Sequence, residues 1–132
     1  MHKGSCLCGA VRYEIEGELG PIYLCHCSRC RKASGSAFAS NSPVKTEDFR
    51  VIAGHEVLTE FESSPGVFRA FCRGCGSPIY SKRHAAPGMV RIRIGTLDTP
   101  VSSKPLAHIF VASKAEWFEI HDQISQHADR PP

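Results

Sequence analysis

The stretch Leu24-Cys25-His26-Cys27-Ser28-Arg29-Cys30 places three thiols within a few residues of one another. If residues 24–27 are extended, side chains alternate in direction. Cys25 and Cys27 then share one face and His26 points to the other. Ser28 can cap a helical turn over residues 28–33, and that turn carries Cys30 round to join the two sulfurs. Three converging thiolates make a seat for a soft or borderline ion, of which zinc is the usual occupant. Three donors are one short of a tetrahedral set, and an open position is where zinc performs chemistry.

Two further cysteine pairs flank this stretch. Cys72 and Cys75, with Gly74 between them and Gly76 after, read as a zinc knuckle whose glycines let the backbone turn sharply toward the sulfurs. Cys6 and Cys8 offer two more donors from one turn. Together the pairs make a closed four-sulfur set joining the start of the chain to its middle. Cys25, Cys27 and Cys30 form the other set, so all 7 cysteines are used and two zinc ions per chain are expected. The plainer alternative is a purely structural trio that takes a fourth protein ligand. His26 is nearest but is expected to point away, and His55, His84 and His108 stay open as candidates.

Around these motifs the pattern is one of short strands. Val11, Tyr13 and Ile15 alternate with Arg12, Glu14 and Glu16, which reads as a half-buried strand. Residues 37–39, 49–52, 58–61, 67–71, 79–80, 89–94 and 107–111 read as further strands. Residues 58–61 and 67–71 are expected to pair across Ser63-Ser64-Pro65-Gly66. Residues 115–120 read as a short helix laying Trp117 and Phe118 on the body. Long helical periodicity is absent, so the expected class is mainly β, with antiparallel sheets stapled by the four-cysteine site and short helical turns.

The 132 residues fit one zinc-binding domain spanning 1–132, with a core over about residues 4–120 and a frayed polar tail from 126 to 132. A hydrophobic content of 42% argues against disorder. The net charge of +3 does not by itself argue for nucleic acid. No run approaches the roughly 20 apolar residues of a membrane span. Met1-His2-Lys3-Gly4 leads directly into Ser5-Cys6 with no apolar signal region. An odd number of clustered cysteines fits metal binding in a reducing compartment, and a cytoplasmic protein is expected.

Three stretches together resemble the glutathione-dependent formaldehyde-activating enzyme family, which also contains centromere protein V. They are Gly4-Ser5-Cys6-Leu7-Cys8-Gly9-Ala10-Val11-Arg12-Tyr13, Cys25-His26-Cys27-Ser28-Arg29-Cys30-Arg31-Lys32 and Phe71-Cys72-Arg73-Gly74-Cys75-Gly76. The region around His108-Ile109-Phe110-Val111 and Trp117 is similar too. The resemblance implies a β-tent fold. It also implies a structural zinc on Cys6, Cys8, Cys72 and Cys75 and a catalytic zinc on Cys25, Cys27 and Cys30. The implied activity is that of a carbon–sulfur lyase joining glutathione and formaldehyde into S-hydroxymethylglutathione, so the expected partners are a small-molecule thiol and an aldehyde.

Arg29, Arg31 and Lys32 read as a solvated basic turn that could also hold substrate carboxylates. Phe38, Phe71 and Trp117 read as packing residues before pocket walls. A second functional reading is a non-catalytic zinc module binding a partner or nucleic acid. The basic turn supports it, while the modest charge and the lack of interleaved aromatic and basic residues speak against it. A methionine sulfoxide reductase would need a redox cysteine late in the chain, and none follows Cys75. Oxidation of Cys27 and Cys30 after zinc loss is a further redox reading of the trio.

Overall fold

Val11, Tyr13 and Ile15 are all fully buried while Arg12 and Glu16 face solvent, so the alternation read in the sequence is a strand with one face in a core. The computed structural model describes residues 1–131. Strands β1 (His2–Ser5), β2 (Arg12–Ile15) and β3 (Ile22–Cys25) precede helix α1 (Ser28–Ser34). Six strands follow: β4 (Ala39–Lys45), β5 (Phe49–Ala53), β6 (Leu58–Ser64), β7 (Val67–Cys72), β8 (Pro78–Arg83) and β9 (Met89–Arg93). Then come β10 (Pro105–Ile109) and the two-residue β11 (Ser125–Gln126). The protein is mainly β, with open sheets, one α-helix and short 3-10 turns among the described residues. No described helix is long and apolar enough to cross a membrane.

The chain divides into two compact units. The first is built from Met1–Gly20 and Ser42–Ser102. In it β1, β2 and β5 form an antiparallel three-stranded sheet. Strands β6 to β9 pair antiparallel in sequence order, and β6 and β7 form the expected hairpin. The core gathers Val11, Tyr13, Ile15, Val44, Ile79, Val90 and Ile92, with Cys6 and Cys72 buried among them. Gly4 is required beneath the Tyr13 ring, because a Cβ there would lie 2.2 Å from Tyr13 Cζ. Strand β1, opposite β2, carries no period-2 apolar signal, which is why the sequence did not mark it.

The second unit comprises Pro21–Asn41 and the chain from Ser103 onward. Here β3 pairs antiparallel with β4, and β10 runs parallel to both β3 and β11. The antiparallel expectation therefore holds along most strands and gives way at β10. The parallel register sets His108 beside Leu24 and Ile109 beside Cys25. Paired residues share a sheet face, so Cys25, Ile109 and Ala39 point one way, while Leu24, His108 and Ser40 point the other.

Two local expectations are corrected. The helical residues begin at Ser28, but the cap is Cys27, in extended conformation, with its sulfur accepting from the Cys30 amide. Residues 115–120 form a turn instead of a helix, with a 3-10 turn before them at Val111–Ser113. Trp117 is 71% exposed, and it is Phe118 that packs inward. Backbone hydrogen bonds link part of the polar tail to β10 and the turn after it. His127 donates to His108, while Phe110, Val111 and Ala112 donate to Asp129, His127 and Ala128. The last residue of that expected tail, Pro132, lies outside the described residues.

Candidate metal centres

In the first unit two similar turns present the four sulfurs. Gly9 N–H donates to the Cys6 carbonyl at 3.0 Å, and Gly76 N–H donates to the Cys72 carbonyl at 2.7 Å. Both glycines have φ of 81°, a left-handed backbone that few side chains adopt. The Leu7 amide donates to Ser77 Oγ at 2.8 Å and ties one turn to the other. The Sγ atoms of Cys6, Cys8, Cys72 and Cys75 all lie within 4.8 Å of one another. Cys6 and Cys8 approach to 3.5 Å, and Cys8 and Cys72 to 3.8 Å.

The electrostatics of this cluster suit a divalent cation. Hydrogen bonds to Ser77 pull Cys75 down to about 5. Cys8 gains from an Ala10 backbone hydrogen bond that lowers it, yet its sulfur neighbours, Cys6 foremost, push it up to about 11. Burial would raise Cys6, but the Val11 amide and Cys8 bring it below its usual value. Four crowded sulfurs cannot all ionise unless positive charge lies among them. No disulfide links any of the described cysteines.

In the second unit β3 delivers Cys25 and the start of α1 delivers Cys27 and Cys30. The Cys30 amide donates to Cys27 Sγ at 3.3 Å and the Arg31 amide to the Cys27 carbonyl at 2.9 Å, which closes the first helical turn. Gly35 ends the helix with φ of 63°, its amide donating to the Arg31 carbonyl. The Sγ atoms of Cys25, Cys27 and Cys30 also lie within 4.8 Å of one another. Cys25 and Cys30 are buried, and Cys27 is half-buried. Cys27 and Cys30, then burial, push the Cys25 thiol far above its ordinary range. A donor set of three soft sulfurs in mutual conflict is chemically matched to zinc.

The reverse face of this sheet carries groups that the sequence only partly disclosed. His26 is fully buried and turned away from the sulfurs, as expected. Its amide donates to the Ile109 carbonyl at 2.9 Å. Its Nε2 lies 2.8 Å from Nδ1 of His108, and His108 Nε2 lies 3.0 Å from Asp122 Oδ2. Phe38 and Phe118 pack on the His26 ring. Burial foremost, aided by the positive charges of Lys114 and Arg31 nearby, lowers His26 to about 4. The hydrogen bond from His108 holds the Asp122 carboxyl below its usual value. Asp122 was missed because it sits in a short polar segment with no local motif.

The other candidates fall outside both clusters. His55 is exposed, and His84 stacks on Phe68 at 5.0 Å. Arg29 and Lys32 are exposed on α1, whereas Arg31 is half-buried, its Nε without a hydrogen-bond partner among the described residues. Arg73 donates to the Glu56 carbonyl at the surface.

A family model described as "Glutathione-dependent formaldehyde-activating enzyme" matches residues 1–113. A Halomonas elongata protein provisionally named as such an enzyme is 29% identical over 129 residues, covering 92% of this chain and 82% of that one. A Schizosaccharomyces pombe protein named an uncharacterized lyase is 29% identical over 79 residues, 60% of this chain; the match spans 56% of that protein. Among solved structures, the crystal structure of a Rhodobacter sphaeroides protein superposes with a TM-score of 0.64 at 30% identity, covering 76% of this chain and 91% of that one.

Proposed function

The chain belongs to the glutathione-dependent formaldehyde-activating enzyme family, and on that footing we propose that it joins a thiol, glutathione first among the candidates, to a small aldehyde beside Cys25, Cys27 and Cys30. The observation that carries the reading is the division of the sulfurs into one set of four and one set of three. Cys6, Cys8, Cys72 and Cys75 would hold a structural zinc, and the trio would hold a second. When bound at the trio, zinc supplies Lewis acidity that favours thiolate over thiol near neutral pH.

The reaction needs no redox partner. The thiol sulfur forms a bond to the aldehyde carbon, the carbon–oxygen π bond opens, and the thiol proton ends on oxygen. A free thiol of pKa about 8.5 is about 3% ionised at pH 7, so complete ionisation contributes at most about thirtyfold, or about 2 kcal/mol. Orientation of the two substrates supplies the larger share. Cys25 and Cys30, buried on a strand and a helical turn, fix the position of the site. The basic residues Arg29, Arg31 and Lys32 beside it suit the carboxylates of a thiol such as glutathione. This chemistry needs reduced cysteines, in keeping with the cytoplasm.

The test is metal analysis with a glutathione titration on the parent and on Cys30→Ser, combined with NMR measurement of exchange among glutathione, formaldehyde and their adduct. Two zinc ions in the parent, one in the variant, and exchange accelerated only by the parent are expected. Unchanged exchange on adding zinc-replete parent protein refutes the enzyme.

A further inference from the structure

The thiol trio stands on one face of a sheet, and a buried polar chain stands directly behind it. Cys25 and Cys27 flank His26 in sequence, so the orientation of that one residue bears on both sulfurs. His26 lies on the face it shares with His108, among the rings of Phe38 and Phe118. A phenylalanine would fill such a nest at less cost. The polar chain leaves His26 Nδ1 buried with no hydrogen-bond partner among the described residues, which costs the desolvation of that atom. Packing alone gives no reason for it.

The hydrogen bonds have only one consistent direction while both rings are neutral. An ionised Asp122 can only accept, so His108 Nε2 carries the proton it donates. His108 Nδ1 then has a lone pair and accepts from His26 Nε2–H. The Ile124 amide donates to Asp122 Oδ1 at 3.0 Å and holds the carboxylate in place. One exposed acid thus fixes the tautomer and orientation of two buried rings in series. With its amide bound to the Ile109 carbonyl as well, His26 is held at both backbone and side chain.

We infer that Asp122 and His108 are positioning residues, locking His26 from the reverse face so that Cys25 and Cys27 hold their sulfurs converged with Cys30 for the metal. Three thiolates held within 4.8 Å of one another repel, so they do not gather unaided. A strand pinned from behind supplies that constraint before any ion binds. The inference rests on the trio being a metal site, as proposed above, and it adds residues that touch neither metal nor substrate.

The experiment uses the full zinc-loaded chain with nitrogen-15 histidine. Long-range nitrogen–proton NMR reads the tautomers, and chelator competition reads the zinc affinity of the trio. In the parent, both His26 and His108 are expected as Nε2–H tautomers. In Asp122→Ala, whose site is partly exposed and tolerant of truncation, His108 is expected to lose its fixed tautomer. The trio is then expected to bind zinc about tenfold more weakly, in line with loss of an outer hydrogen-bonding partner, with the four-sulfur site unchanged. Asp122→Glu, which keeps the carboxylate, restores both readouts. A second zinc held as tightly in Asp122→Ala as in the parent, or unchanged tautomers, overturns the anchor alone. A parent that holds one zinc overturns the metal reading and the anchor with it.

Discussion

Replacing Cys72 by serine, and separately Cys30, distinguishes the clusters by what each ion would hold together. The four-sulfur cluster brings Cys8 and Cys72 to 3.8 Å across a separation of 64 residues. Within the trio, Cys27 and Cys30 are separated by 3. Loop-closure entropy grows as (3/2)RT ln n; the constant cancels in a comparison, and the ratio of these spans is worth about 2.7 kcal/mol. Cys72 is also fully buried in the core of its unit, where an unbound hydroxyl adds a desolvation cost. Structural zinc contributes on the order of 10 kcal/mol, against a net stability of about 5–15 kcal/mol. Cys72→Ser is therefore expected to lose at least about 3 kcal/mol more than Cys30→Ser. At a urea slope of about 1–3 kcal/mol per molar, its midpoint should fall by at least about 1 M further. Urea unfolding followed by circular dichroism, with zinc content measured on the same samples, reads this directly. Equal midpoints, or Cys30→Ser the less stable of the two, would refute the division into a stapling cluster and a local one.

Four further outcomes follow from the first unit. Thr96 Oγ1 donates to the Arg93 carbonyl and so accepts from the Tyr13 hydroxyl at 2.7 Å; Tyr13→Phe should cost about 1 kcal/mol in chemical denaturation. Burial raises Tyr13 to about 12; the neutral phenol is thus favoured in the fold, and stability is full below the unfolded value near pH 10 and declines as pH rises toward 12. That decline is about 3 kcal/mol and should be absent from Tyr13→Phe, leaving only the part due to other groups such as Tyr80, which burial and Glu60 also raise. Ile92→Ala empties a fully buried core position and should cost about 2–5 kcal/mol in the same assay. Gly54 has φ of 87°, and a Cβ there would sit 2.4 Å from the Ala10 carbonyl oxygen; Gly54→Ala should lower the melting temperature, by about 2–8 °C for each kcal/mol lost.

The cysteine spacing disclosed both sulfur clusters because ligand turns are local: two or three residues and a glycine decide where the sulfurs point. The same local rule turned His26 away from Cys25 and Cys27. What His26 meets behind the sheet is a different kind of fact. It depends on β10 running parallel to β3, which sets His108 on the same face, and neither strand direction nor register is written in an alternating pattern. Asp122 is further from view, since its role comes only from reaching His108 after a turn that the sequence suggested was helical. Trp117 misled for a related reason: its size promised burial, but with no helix at 115–120 its neighbour Phe118 takes the inward place.

The two clusters use the same donor yet solve opposite problems. In the four-sulfur set the donors come from distant parts of the chain, and between them the described direct ties are few, Leu7 to Ser77 being one. Their convergence costs chain entropy that an ion would offset, so a metal bound there would be coupled to the fold. In the trio, one strand end and one helical turn already bring the sulfurs together, and the polar anchor behind them shares in the restraint. An ion at the trio is then freed from holding the fold. Such an ion can exchange a ligand without the scaffold opening, which is what a site that admits a thiol must allow.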